Sequence, residues 1–145
     1  MTVIYVSAYG NTAAMAARVA KGVRSAGVKA TLINSVEVPM DEIIGEIETS
    51  EGFLIGTPTL NSNVPHPILH VIANLVVLNV KGKPASVFGS YGWSGEAIKT
   101  VQDILTSMRL KIAPDPIRFQ MTPSDADLAV CEEFGKKFAE IVQDR

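Results

Sequence analysis

The fold is decided near the amino terminus, by the stretch VIYVSAYGNT at residues 3–12. Its first half, Val3–Ser7, is a short continuous apolar run, and such runs favour a strand that is covered on both faces. The chain then passes through Gly10 into Thr12–Ala26, where apolar side chains recur at helical spacing and Gly27 is a stop signal. The stretch therefore predicts a buried strand that turns directly into a helix.

The same alternation of strand and helix recurs along the whole chain. The predicted strands are Val3–Ser7, Ala30–Asn34, Gly52–Gly56, Ala85–Gly89 and, more weakly, Ile117–Gln120. The predicted helices are Thr12–Ala26, Met40–Ile47, Pro67–Leu78, Glu96–Met108 and Asp125–Val142, the last preceded by a capping box of Ser124 and Asp127. Because parallel strand–helix–strand crossovers are right-handed, this order predicts an α/β fold with an open, doubly wound sheet of five parallel strands.

Length and composition narrow the class of protein. The 145 residues, with 47% hydrophobic and 19% charged side chains, suit one folded domain spanning residues 1–145. A net charge of -2 argues against nucleic acid as a partner. We expect no membrane span, because no apolar run reaches about 18 residues. We expect no signal peptide, because Met1 leads straight into an apolar strand without a charged leader. The single cysteine, Cys131, excludes an internal disulfide; we expect a cytoplasmic protein with a buried, inert thiol.

Three polar loops follow the first, third and fourth predicted strands. Ligands of doubly wound sheets bind outside the carboxyl ends of the strands, so these loops are the candidate site. We call Ser7–Thr12 the first loop, Gly56–Asn63 the second loop and Gly89–Gly95 the third loop. All three are rich in hydroxyls, amides and glycine, and none contains a charged residue. This composition indicates recognition by dipoles rather than by ion pairs.

The first loop has the features of an anion site. Ser7, Asn11 and Thr12 can donate hydrogen bonds, Gly10 permits a tight turn, and free backbone N–H groups at the start of the helix point the same way. A permanently bound phosphate monoester fits this arrangement. A transferred phosphoryl group does not, because it would want a lysine and a metal ligand. The alternative is a plain turn in which Thr12 caps the helix.

The second and third loops offer walls for a flat ring. Tyr91 and Trp93 of the third loop can stack on such a ring, while the stretch Pro58–Asn61 can supply main-chain donors and an apolar surface. The alternative is that Trp93 packs on its own domain. His66 and His70 are four residues apart and could share a helix face, but no third metal ligand lies nearby, so we predict no metal site.

Together the loops resemble a known family. The first loop is similar to the phosphate-binding signature of flavodoxins, and the sequences GTPTLN (56–61) and GSYGWSGE (89–96) resemble the flavodoxin-like domain of flavodiiron proteins, the A-type or diflavin flavoproteins. The likeness covers essentially the whole chain. It implies a three-layer flavodoxin-like fold with strand order 2-1-3-4-5.

The resemblance also implies the cofactor FMN, bound non-covalently. Its phosphate would be held by Ser7, Tyr9, Gly10, Asn11 and Thr12. Its ring would be surrounded by Pro58, Thr59, Leu60, Asn61, Ser90, Tyr91, Gly92, Trp93, Ser94 and Gly95.

By the same resemblance, the flavin passes electrons to a diiron metallo-β-lactamase-like domain that reduces oxygen or nitric oxide and is absent from this sequence. The electron donor would be an NAD(P)H-dependent reductase, and the family implies a homodimer. Three alternatives stay open: a stand-alone flavodoxin-type electron carrier, a small NAD(P)H:quinone or flavin reductase, and a flavin-free interaction domain that kept the fold.

Overall fold

A computed structural model describes residues 1–144; Arg145, the last residue of the predicted domain, lies outside the described residues. The strands are β1 (Thr2–Tyr5), β2 (Thr31–Asn34), β3 (Phe53–Thr59), β4 (Pro84–Tyr91), β5 (Lys111–Ile112) and β6 (Ile117–Gln120). The helices are α1 (Asn11–Ser25), α2 (Met40–Thr49), α3 (His66–Leu75), α4 (Glu96–Ser107) and α5 (Asp125–Gln143). The elements alternate as the sequence predicts; Ile117–Gln120 has the predicted bounds, and the ends of most other elements differ from the predicted ends by a few residues.

All strand pairs are parallel, and the sheet order is β2-β1-β3-β4-β5, with β6 also paired to β4. The predicted doubly wound fold with order 2-1-3-4-5 is therefore confirmed. The fifth strand differs from the prediction because it comes in two pieces. The pair Lys111–Ile112 lies beside the start of β4, and Ile117–Gln120 lies beside its end. The prolines at positions 114 and 116 separate the two pieces, since proline cannot donate to the ladder.

The sheet is covered on both faces, which explains the continuous apolar runs. On one face Val3, Leu54 and Phe88 pack against α1 and α5. On the other face Ile4, Ile55 and their neighbours pack against α2, α3 and α4. Successive residues of a strand point to opposite faces, so a strand buried on both sides needs an apolar residue at nearly every position. The three-layer architecture follows from this arrangement.

Helices α1 and α5 approach each other closely at two glycines. A Cβ atom on Gly22 would lie 1.9 Å from the carbonyl oxygen of Glu132, and one on Gly135 would lie 2.1 Å from the carbonyl oxygen of Val19. Both distances are far below any van der Waals contact, so each position excludes every side chain. Cys131 lies in the same layer, where burial raises the pKa of its thiol to about 12. The predicted burial of this thiol is confirmed.

The ends of β3 and β4 determine where the candidate loops lie. Both strands run further than predicted: the ladder continues through Thr57–Thr59, which pairs with the end of β4 up to Tyr91. The beginnings of the second and third loops are therefore held side by side in the sheet itself. This pairing brings the rest of both loops to one edge of the molecule, next to the first loop.

Candidate functional site

A groove of about 320 Å³ opens at the carboxyl edge of the sheet, within the size range of small-molecule sites. It is lined by Tyr9, Asn11, Pro58, Thr59, Leu60, Ser90, Tyr91, Gly92, Met121 and Thr122. All three loops contribute to the groove, and none of the lining residues is charged at neutral pH. Met121 and Thr122 were missed from the sequence. They directly follow the fifth predicted strand, so the rule that ligands bind at the carboxyl ends of strands could have found them.

The first loop holds its own amides around a side-chain oxygen. Gly10 has a left-handed backbone with φ of 86°, and α1 begins at the next residue. The Ser7 hydroxyl accepts hydrogen bonds from the backbone N–H groups of Gly10, at 3.1 Å, and of Ala13, at 3.2 Å. Two amides at the start of a helix thus converge on one oxygen atom. This is the geometry that also suits the oxygen of an anion.

Thr12 does not cap the helix, so the capping role that the alternative gave it is wrong. Its side chain is buried, and its Oγ1 lies 2.8 Å from the Oγ of Ser90, inside the domain. Ser90 lines the groove, whereas Thr12 lies behind it. The bond between the two hydroxyls links the first loop to the third.

The second loop ends in a tight turn with two left-handed residues. Leu60 and Asn63 exchange both backbone hydrogen bonds, at 3.0 and 2.8 Å. Between them, Asn61 has φ of 50° and Ser62 has φ of 62°. A two-residue connection with two positive φ values is the pattern of a type I′ turn. Just before the turn, the Thr59 hydroxyl accepts a hydrogen bond from the N–H of Ala97 in α4. This bond fixes the second loop to α4.

Two substitutions in this turn should change the free energy of unfolding in opposite directions. Ser62→Gly should raise the free energy of unfolding by about 0.5 kcal/mol, because glycine adopts positive φ without strain. Asn61→Val should lower it by about 1 to 2 kcal/mol, because a β-branched residue is strained there. Urea unfolding of both variants measures the difference. Equal stability of the two variants would contradict the turn assignment.

The third loop divides into a wall and an exposed tip. Tyr91 and Gly92 line the groove, whereas Trp93 is 95% exposed and lies outside it. Trp93 borders a second depression with Thr59, Asn61, Ser62 and Ser94. The alternative that Trp93 packs on its own domain is therefore wrong. Its stacking on a ring stays a prediction.

Two charged side chains, Arg118 and Glu96, lie beside the third loop. The Arg118 guanidinium lies 5.8 Å from the centre of the Tyr91 ring. The exposed Glu96 carboxyl has a lowered pKa, chiefly because the Ser94 hydroxyl donates a hydrogen bond to it. Among residues 1–144, no group of three or more histidine, cysteine or acidic side chains could hold a metal ion.

Comparison with known proteins places the chain in a family. The family model described as flavodoxin matches residues 3–135. The chain belongs to the flavodoxin family. FMN is the cofactor of these flavodoxin domains and of the flavodiiron relatives.

Three relatives of this flavodoxin domain differ in how much of their own length the match covers. A diflavin flavoprotein of Nostoc sp. is 37% identical over 143 residues, which are 99% of this chain and 25% of that protein. The flavodiiron core of Flv1 from Synechocystis sp. has a TM-score of 0.95 at 38% identity, over 99% of this chain and 36% of that one. A flavodoxin from the domain Archaea has a TM-score of 0.88 at 32% identity, over 99% of both chains. The flavodoxin domain thus spans about a quarter of the first of these proteins.

The groove of this flavodoxin domain fits FMN by its chemistry. The start of α1, shaped by the two amides that donate to Ser7 Oγ, suits a phosphate, and the walls formed by Pro58, Leu60 and Tyr91 suit an uncharged aromatic ring. The two parts adjoin, because Tyr9 and Asn11 of the first loop also line the groove.

Proposed function

We propose that this chain binds FMN non-covalently in the groove and carries electrons as a redox module. One observation supports this most directly: three uncharged loops from separate parts of the chain meet around a single groove, beside the two amides that converge on Ser7 Oγ. When bound, FMN supplies the ability to accept electrons singly or in pairs. The chain supplies binding, orientation and an uncharged environment.

The phosphate end of the site is proposed to be Ser7, Tyr9, Gly10, Asn11 and Thr12. Backbone N–H groups in the first turn of α1 other than that of Ala13, which already donates to Ser7, donate to the phosphate, and the helix dipole favours its negative charge. Ser7 gives the loop its shape before the cofactor arrives, because its hydroxyl already gathers the amides. Thr12 acts from behind, by holding Ser90 in place at the floor of the groove.

The ring end of the site is proposed to be Pro58, Thr59, Leu60, Asn61 and the third-loop residues from Ser90 to Gly95. Leu60 and Tyr91 provide apolar contact and exclude water from the faces of the ring. The turn at Asn61 directs main-chain groups to the ring edge. We add Met121 and Thr122, which directly follow β6 and line the same groove.

The proposed physiological context is a flavodiiron system. Its support is the similarity to a diflavin flavoprotein and to the flavodiiron core of Flv1. In that context the electron acceptor is a diiron metallo-β-lactamase-like domain that reduces oxygen or nitric oxide, the donor is an NAD(P)H-dependent reductase, and the functional unit is a cytoplasmic homodimer. The described helices, each too short or too polar to cross a bilayer, add no membrane-spanning element.

A stand-alone electron carrier is the second candidate function. The observation in its favour is the archaeal flavodoxin, which matches this chain over 99% of both lengths. The two candidates share the cofactor and differ only in the acceptor.

The test is a titration of flavin-free protein with FMN, followed by quenching of flavin fluorescence. We expect binding with one FMN per chain and little oxidation of NAD(P)H by the loaded protein alone. Failure to quench would reject the proposal and favour a flavin-free interaction domain. Rapid oxidation of NAD(P)H with quinone or free flavin would favour the reductase alternative.

A further inference from the structure

The edge strand β6 supports the third loop through two side chains. Arg118 and Gln120 are two residues apart on this strand and therefore point to the same face. The Arg118 Nη1 donates to the carbonyl oxygen of Gly95, and the Gln120 Nε2 donates to that of Gly92, both at 3.3 Å. One side chain thus holds the end of the loop that enters α4, and the other holds the end that leaves β4.

Arg118 also lies beside the Tyr91 ring, which lines the groove. Its guanidinium lies 5.8 Å from the centre of the Tyr91 ring, within the range of a cation–π contact. A Cβ atom on Gly95 would lie 2.9 Å from Arg118 Nη1 and 3.3 Å from Tyr91 Cδ1. Gly95 therefore leaves room for the guanidinium beside Tyr91, and any side chain at Gly95 would displace it.

Other contacts leave Gly92–Gly95 dependent on this support. The root of the loop is fixed, because the N–H of Met121 donates to the Tyr91 carbonyl at 2.7 Å. Beyond Tyr91, the tip carries the fully exposed Trp93, and Ser94 reaches Ser62 of the second loop only at 3.5 Å. Ser94 also donates to the Glu96 carboxyl, within its own stretch of chain. The two β6 side chains are thus contacts that join both ends of the tip to another element.

We propose that Arg118 and Gln120 are positioning residues for the ring end of the site. They hold the third loop so that Tyr91 forms a fixed wall, and they do not contact the phosphate end. This inference rests on the proposed function, since the recognised ring is that of FMN. It assigns a role to a strand that carries none of the loop motifs.

The first test uses flavin-free protein, so that it does not depend on the cofactor. Trp93 is the only tryptophan and lies at the loop tip, so its fluorescence anisotropy reports the mobility of the loop. Arg118→Met should lower this anisotropy. Lys99→Met is the matched control, because Lys99 is an exposed cation on α4 that pairs with Asp103 instead of the loop. The control should leave the anisotropy unchanged.

The second test compares FMN with riboflavin, which lacks the phosphate. Arg118→Met should weaken both ligands by the same factor, about tenfold, because a guanidinium that is stacked and hydrogen-bonded contributes on that order. Arg118→Lys should recover only part of the loss, since lysine lacks the planar fork. Gln120→Leu should weaken both ligands by a smaller equal factor. This variant replaces Arg118→Met in the test if Arg118→Met does not fold.

Unchanged affinities in both variants would overturn the proposal, as would a loss confined to FMN. If the unaltered protein binds neither flavin, the proposed function fails. The anisotropy comparison then still decides whether Arg118 positions the loop.

Discussion

Alanine at Gly22 or at Gly135 is expected to lower the free energy of unfolding by about 3 kcal/mol. Each added methyl group would lie about 2 Å from a backbone carbonyl oxygen of the opposite helix. Backbone atoms in the middle of a helix cannot rotate away, so α1 and α5 must separate, and overpacking of this kind is costly. Their separation would also open the buried layer that contains Phe134 and Phe138. Urea unfolding followed by circular dichroism measures the loss.

Gly45 provides the matched control. It lies inside α2, is exposed, and has nothing within 4 Å of the place where a Cβ atom would be. Gly45→Ala should therefore raise the free energy of unfolding by about 0.5 to 1 kcal/mol, through helix propensity alone. If the Gly22 and Gly135 variants instead resembled the Gly45 variant, the close packing of α1 and α5 would be refuted.

FMN is expected to bind about a thousandfold more tightly than riboflavin. The phosphate gains several charge-assisted hydrogen bonds from the first loop, and a net gain of about 4 kcal/mol corresponds to that ratio. The first loop contains no lysine or arginine, so a tenfold rise in ionic strength should change the ratio by less than about twofold. Isothermal titration with both ligands at two salt concentrations measures both quantities.

Ser7→Ala is the variant that isolates the phosphate end. It should weaken FMN about tenfold and leave riboflavin nearly unchanged, because it removes the oxygen that gathers the α1 amides. Thr12→Val is less informative, since the Thr12 hydroxyl is bonded to Ser90 inside the domain. Equal affinities of the unaltered protein for the two flavins would show that the first loop does not bind phosphate.

The sequence predicts the fold well because its main signals are local. Continuous apolar runs mark the strands, and the capping box at Ser124 and Asp127 forms as predicted, with both of its hydrogen bonds present. The short strand Lys111–Ile112 was missed because two residues carry no periodicity. The extensions of β3 and β4 were missed because their polar residues are paired by the ladder, which depends on contacts distant in sequence.

The loops that form the site were predictable from the sequence, but the side chains that hold the third loop were not. Glycine, hydroxyl and aromatic residues after successive strands indicate loops that meet at one edge, and the groove gathers residues from all three. Trp93 illustrates the limit: an aromatic residue between glycines gives no sign of which way it points, and it lies outside the groove. Arg118 and Gln120 sit in an ordinary alternating strand, so only the three-dimensional arrangement reveals that both reach the third loop.

The buried thiol has a practical consequence. Cys131 is the only cysteine of the sequence, and its raised pKa leaves almost no thiolate in the native state. An alkylating reagent therefore reacts with this chain only through molecules in which α5 has opened, and the rate of labelling measures how often that happens. Because a ligand that binds the closed form reduces the open population by mass action, the same sulfur atom reports occupancy of the groove without any optical signal from the ligand.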